Sequence, residues 1–515
     1  MPAPTAEAPQ TLLVTGATGF IGRYVVAALQ RRFRIHALGR RAPAEARAPE
    51  SEGITWHQVD LGDRVALEGV FRTIAAAGGV DYVIHLAAYY DFAGREDPEY
   101  QRTNVDGLRH TLELCRDILK PRRFLFASSL AASDFPPRGT VLTEHSPLDG
   151  PHPYARSKRE GEALVSAYRE HFPVVIFRLG ACYSDWCEFA PIFIFMGTWL
   201  STSWRARILG GQGASALPYI HVREVVLFLA RLLERESELG ACEVLIASPD
   251  EATSHRQLFD AACESFHGHR VEPILMPKLL VRPGMHGMDL LGRLLGDRPF
   301  ERPWMADYID RTMPVDASFT RSRLGWTPSP RFAIVRRMPF LVENLKTNGL
   351  EWHHRNLGMI RTATLAHHLR IFQLIEAHMD QLVQLTVERI KAPKRQAQLP
   401  NYQQLSAADL AWDAQQTFLH LKNAVRTKER GLFKTYCAEV AGHRFGQGVP
   451  MREVLDIVEL KHQTVLRVLL DAPRVAGAEQ AVHDSVNMAF RLGGDEIEDT
   501  FERLSGQFVP AEPPA

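Results

Sequence analysis

Cysteine is scarce, with six residues in a chain of 515. They are scattered, none stand in CxxC spacing, and the closest two are Cys182 and Cys187. Neither a disulfide framework nor a zinc site is therefore expected, and no metal is assigned. Net charge is absent too. Sixty Lys and Arg balance sixty Asp and Glu, which removes the cationic excess on which nucleic-acid binding rests. The short basic cluster at residues 391–395 reads as solvated surface. The first residues, MPAPTAEAPQ, lack the basic start and apolar stretch of a secretory signal. The most apolar segment, residues 189–200, is shorter than the roughly 20 residues that span a bilayer. No internal repeat stands out. These absences point to a soluble cytoplasmic protein with no transmembrane segment and no nucleic-acid partner.

What is present is a folded, multidomain pattern. Hydrophobic residues make up 45% and charged residues 23%, values typical of globular chains. The length predicts two or three domains. The segments TLLVTGA, RIHALGR, ITWHQVD, VDYVIHLAA, RFLFASS and PVVIFRLG read as buried strands, and amphipathic helices separate them. Strand and helix in alternation predict an α/β fold, a doubly wound parallel (Rossmann) sheet with right-handed crossovers. This domain is expected over residues 11–348, with a small substrate lobe from about residue 180. Glycine then becomes scarce and helical periodicity takes over. Leu365, Leu369, Phe372, Met379 and Leu382 recur at three- and four-residue steps, as do Met451, Val454, Val458, His462, Val465 and Leu469. A separate all-α bundle is expected over residues 350–507. The tails, 1–10 and 508–515, read as disordered.

TGATGFIG places Gly16, Gly19 and Gly22 directly after a strand and at the opening of a helix. The first glycine permits the tight turn, the second lets backbone approach a pyrophosphate, and the third lets helix and strand pack closely. The helix N-terminus supplies free N–H groups for the phosphates. Thr18, Phe20 and Ile21 complete the loop. The second strand ends in Leu38-Gly39-Arg40-Arg41 rather than in an acid. A carboxylate there would hold the ribose hydroxyl of NADH, whereas Arg40 and Arg41 suit the 2′-phosphate of NADPH. NADPH is favoured, and NADH stays open.

In order along the chain, TGATGFIG, VDLGD, VIHLAA, TNVDG, FASSLAA, YARSK, FRLGACY and LPYIHVREVV resemble the extended short-chain dehydrogenases. That group is the NAD-dependent epimerase/dehydratase superfamily, and the chain is most similar to its 3β-hydroxysteroid dehydrogenase and dihydroflavonol reductase branch. The resemblance implies that Asp60 and Leu61 meet the adenine and that Leu86 and Ala87 line the cofactor. It implies that Asn104 supports the active-site helix. It also implies a catalytic set of Tyr154, Lys158 and one of two adjacent serines, with Ser129 aligned rather than Ser128.

The chemistry of that set can be argued from the residues. Tyr154 and Lys158 lie four apart in a helical stretch and share one face. A free tyrosine titrates near pH 10, and bringing it close to neutrality requires roughly 3–4 kcal/mol. Lys158 and an oxidised nicotinamide are expected to supply it. Tyr154 would then give a proton to a carbonyl oxygen, or take one from an alcohol, while Ser129 holds that oxygen.

The substrate is less defined. Related sugar-nucleotide epimerases carry Asn three residues after the counterpart of Arg178, where this chain has Ala181. The stretch WCEFAPIFIFMGTWLSTSW suggests an apolar pocket, or else a core helix or dimer contact. Arg205 and Arg207 suit an anionic substrate group or plain surface. The expectation is an oxidoreductase interconverting a ketone and a secondary alcohol on a lipophilic compound, with a homodimer as a compatible assembly. An epimerase or dehydratase holding its cofactor tightly is the runner-up, and a non-catalytic NADP-sensing regulator a third reading. Residues 436–471 resemble the helical sensor domain of stressosome co-antagonists, which implies a globin-like bundle without catalysis. His353, His354, His367, His368, His378 and His462 read as surface or core histidines.

Overall fold

The computed structural model describes residues 9–91, 94–201, 204–295, 302–348, 351–352, 355–356, 367–427, 429–472 and 479–506. Most of both tails, Leu365, His353 and His354 lie outside these residues. The chain divides into two compact units, one of residues 1–291 with 299–363, the other of 364–515 with 292–298.

The first unit is built on seven strands: β1 (Thr11–Thr15), β2 (Arg34–Gly39), β3 (Ile54–Gln58), β4 (Tyr82–His85), β5 (Arg123–Ser129), β6 (Val174–Leu179) and β7 (Cys242–Ala247). Their order is β7-β6-β5-β4-β1-β2-β3, every neighbour parallel. The order reverses between β1 and β4, where doubly wound sheets bind ligands at the carboxyl ends of their strands. Six strands match the expected segments. The seventh, CEVLIA, follows a long insertion and was not anticipated.

Helices cover both faces. On one side α1 (Phe20–Leu29) packs Val25, Val26 and Leu29 against Leu12, Val14 and Ala37. On the other, α2 (Arg64–Ala76) and α3 (Gly107–Leu114) bury Leu67, Phe71, Leu108 and Leu112 with Leu13, Val83 and Phe124. The fourth, α4 (Pro153–Ala167), begins with Pro at its first position, where the missing N–H costs nothing.

The lobe beyond β6 contains short strand pairs, among them Ala181–Tyr183 with Tyr219–His221 and Ile208–Gly210 with Ile274–Met276. Its helix α5 (Ala190–Trp199) carries the aromatic-rich stretch, and the pocket expectation is corrected here. Ile192, Phe193, Met196 and Trp199 are buried. Phe195 stacks on Trp199 at 5.0 Å, Trp199 meets Phe259, and Phe193 stacks on Trp352 at 4.5 Å. These rings are used as core packing. Further along are α6 (Val222–Glu234) and α7 (Lys278–Leu295).

Trp352 and Asn356 belong to the first unit, beyond the boundary expected at 348–350. Trp352 is 3% exposed, and Asn356 donates to the Trp186 carbonyl at 2.7 Å. The second unit is helical, its longest members Ala407–Thr427, Met451–Leu470 and Glu479–Ser505. Val454, Val465, Leu469 and Leu382 lie in its core. His378 bonds the Leu374 carbonyl, and His462 lies between Glu459 and Asn487. Among the described residues no cluster of His, Cys, Asp or Glu could hold a metal ion, and no helix is long and apolar enough to cross a membrane.

Candidate active site

The chain leaves β1 through Gly16, whose φ of +68° is open to glycine without strain. A Cβ there would lie 2.7 Å from the Ala87 nitrogen, so the turn fits only as glycine against the strand end. A Cβ on Gly22 would overlap the Gly16 carbonyl oxygen. Gly19 caps α1 without a side-chain hydrogen bond, and the first turn holds no acid. The N-terminal turn of α1 is thus capped by no side chain, and the glycines keep the cradle in front of it free of side chains. Phe20 and Ile21 open the helix, with Phe20 edge-on to Tyr24. Leu86 and Ala87 follow β4 and lie against Thr15 through backbone N–H groups.

Around the end of β2 the charges are arranged in pairs. Arg41 donates to the Thr18 carbonyl at 2.6 Å, which holds it against the glycine loop. Arg40 lies 3.6 Å from Glu99, both side chains substantially exposed. Asp60 accepts from the Gly62 N–H and from Arg102 at 3.0 Å. Those bonds hold its carboxyl below the ordinary range despite burial. Leu61 is buried, its carbonyl bonded to His110. The two arginines therefore differ: Arg41 borders the cradle, while Arg40 already shares a carboxylate.

β5 ends in the two serines, and they have different partners. The Ser128 hydroxyl donates to Glu162 at 2.5 Å, and Glu162 in turn pairs with Arg178 at 2.9 Å. The Ser129 hydroxyl accepts from the Ala131 N–H at 3.1 Å and lies close enough to the Tyr154 hydroxyl to oppose the upward shift of its pKa. Lys158, one turn after Tyr154, is 4% exposed and donates to the Ala127 carbonyl at 2.7 Å. Its ammonium lies 5.7 Å from the centre of the Tyr154 ring. Burial lowers its pKa to about 8, with Glu162 acting in the opposite sense. Asn104 sits in a wider, π-wound stretch before α3. Its amide brackets Tyr89, donating to the carbonyl and accepting from the N–H, and it also donates to Ser157 on α4.

The expected downward shift of Tyr154 is not found in the protein alone. Burial raises its pKa well above 10, and the Ser129 hydrogen bond opposes this only in part. The reason is burial of the phenol, while Lys158 gives its hydrogen bond to the Ala127 carbonyl rather than to Tyr154.

One flank of the site escaped sequence reasoning. Tyr90 packs on Tyr154 with ring centres 4.4 Å apart. His152, immediately before α4, meets Trp304 at 4.6 Å and Tyr308 at 5.2 Å, and Phe135 meets Tyr308 at 5.1 Å. Tyr90 could have been suspected from its place four residues past Leu86. Trp304 and Tyr308 come from far downstream in the chain and carry no local signal. Arg207 donates to the Glu272 carbonyl and so lies at the lobe surface rather than in this flank.

Residues 12–245 match the NAD dependent epimerase/dehydratase family. UDP-glucuronate 4-epimerase 4 of Arabidopsis thaliana is 27% identical over 190 residues, 34% of this chain and 42% of that protein. Ceramide reductase of Caulobacter vibrioides is 35% identical over 164 residues, 31% of this chain and 43% of that one. The matched region thus spans less than half the length of either relative. Among solved structures, UDP-glucose 4-epimerase of Thermus thermophilus in complex with NAD aligns with 66% of this chain and 99% of its own. Its TM-score is 0.50 at 22% identity, a likeness of fold.

Proposed function

From the kinship of residues 12–245 with the NAD-dependent epimerase/dehydratase superfamily, we propose that this protein is an NAD(P)-dependent oxidoreductase. It interconverts a ketone and a secondary alcohol on a lipophilic substrate. The observation that carries the reading is the meeting of Ser129, Tyr154 and Lys158 at the carboxyl end of β5, next to the glycine cradle. Gly16, Gly19, Gly22 and the α1 N-terminus would hold the pyrophosphate. Arg41, with Arg40, would hold the 2′-phosphate of NADPH, and Asp60 and Leu61 the adenine. The bound nicotinamide supplies or accepts the hydride.

The protein's own part is positional and acid–base. Ser129 holds the substrate oxygen where charge develops. Tyr154, kept protonated by burial, donates its proton to that oxygen in the reductive direction. Lys158 holds a ribose hydroxyl and stabilises the phenolate left behind. Asn104 fixes α4 through Ser157. The lipophilic substrate is supported by the aromatic flank of Tyr90, His152, Trp304 and Tyr308 and by Ala181 in the place of an asparagine. The named relatives that are sugar-nucleotide epimerases favour the second reading, in which the hydride returns to the same substrate.

Cofactor stoichiometry separates the two. With a panel of long-chain and polycyclic ketones as probes, each alcohol formed should consume one NADPH. Product formed without net NADPH loss would give the site to epimerisation or dehydration instead.

A further inference from the structure

Glu188 lies between the Ala181–Tyr183 strand and α5, its side chain completely buried, and the proposed reaction makes no use of it. A buried carboxylate is costly unless it is paired and hydrogen-bonded, so its partners show what it serves. Arg23 donates to one of its oxygens at 2.6 Å. The Tyr24 hydroxyl at 2.9 Å and the Ser184 hydroxyl at 2.7 Å donate to the other. Arg355 stands further off, at 3.9 Å, and shares itself with Glu351. Arg23 is therefore the cation that Glu188 holds. The chain enters Glu188 through Cys187 at a φ of +62°, a conformation rare for a residue with a side chain.

Arg23 stands one turn into α1 and gives the rest of its guanidinium to backbone carbonyls. Nη1 donates to Ala46 at 3.1 Å, at the end of the short helix Pro43–Ala46 that follows Arg40 and Arg41. Nε donates to Gly19 at 3.4 Å, the residue that caps α1. One planar fork thus joins three pieces of chain: the glycine loop, the connection after β2 and the entry to the substrate lobe. With both its oxygens engaged inside the protein, Glu188 acts through Arg23.

We propose that Glu188 is a positioning residue of the dinucleotide site. It locks Arg23, and Arg23 holds the glycine loop and the Arg40–Arg41 connection at the spacing a dinucleotide requires. The inference rests on the cofactor reading above and adds to it a residue outside the glycine cradle.

The test is isothermal titration of NADPH and of NADH into the full chain, as wild type, Glu188→Gln, Arg23→Lys and the double variant. Glu188→Gln keeps the size of the side chain and removes its charge. Arg23→Lys keeps the charge and replaces the fork by a single ammonium. Each single variant should bind both dinucleotides about tenfold more weakly, the scale of one charge-assisted hydrogen bond. Circular dichroism at the titration temperature should be unchanged. The double variant should lose about the same tenfold, because the two residues act as one unit. A double loss of about 100-fold, the product of two independent effects, overturns the proposal. So does wild-type affinity in either folded single variant, even with a lowered melting temperature, since Glu188 would then serve stability alone. Glu188→Asp, which keeps the charge and shortens its reach, takes the place of Glu188→Gln if that variant does not fold, with the same outcomes expected. A wild type that binds neither dinucleotide refutes the cofactor reading itself, whereas a binding wild type with unaltered variants refutes only the role of Glu188.

Discussion

Ser128 and Ser129 are neighbours in the chain and face opposite sides of β5, one bonded to Glu162 and the other beside Tyr154. Replacing each by Ala should separate their roles. Ser129→Ala should cut turnover by about 100-fold, within the usual range for losing a donor aimed at developing charge, and leave stability nearly untouched. Ser128→Ala should lower stability by about 1–3 kcal/mol in chemical denaturation, the cost of a buried carboxylate losing a partner. If Ser128→Ala is the inactive one, the assignment is reversed. Lys158 gives a pH test. Its pKa in the fold, about 8, lies below the value near 10.4 of the unfolded chain. The buried ammonium therefore costs stability below about pH 8, and that cost disappears as pH rises through 8 toward 10. Lys158→Met should be favoured relative to wild type at pH 7, and the difference should shrink by pH 10. A difference that stays constant would mean Lys158 is not held in a desolvating site.

Elements were more legible than their partnerships. The glycine spacing, the strand ends and the Tyr154–Lys158 step were readable because each is local, set by a turn or by one helix face. The Lys158 bond to Ala127, the Glu162–Arg178 pair and the reach of Trp304 to His152 were not, because they join positions distant in sequence. The lobe helix α5 misled for a related reason: an apolar run looks the same whether its rings line a cavity or pack on Trp352 and Phe259. The Glu162–Arg178 pair fixes α4 to β6, both side chains 6% exposed. Glu162→Ala should cost about 3–5 kcal/mol, the usual penalty for stranding one member of a buried pair. A change under about 1 kcal/mol would show that α4 is held by its apolar face alone. For the arginines after β2, replacing both by Gln should weaken NADPH binding by about tenfold with little effect on NADH. An unchanged ratio in isothermal titration would reverse the cofactor proposal.

At the scale of the molecule, a change of periodicity revealed two parts, but not the residue at which one ends. Trp352 and Asn356 pack into the first unit through Phe193 and Trp186, so a cut at 348 would remove core residues. Residues 1–363 should bind NADPH, and residues 364–515 should give a folded helical spectrum by circular dichroism. A soluble, monodisperse first unit that cannot hold the cofactor would make the second unit part of the enzyme. In the proposed reaction Tyr154 moves the proton while the cofactor site stands independently of it. That role is tested most directly by Tyr154→Phe in single-turnover reduction of a ketone probe, with NADPH affinity measured on the same protein. The variant should keep wild-type NADPH affinity and turn over at least about 100-fold more slowly. Turnover near the wild-type rate would contradict it.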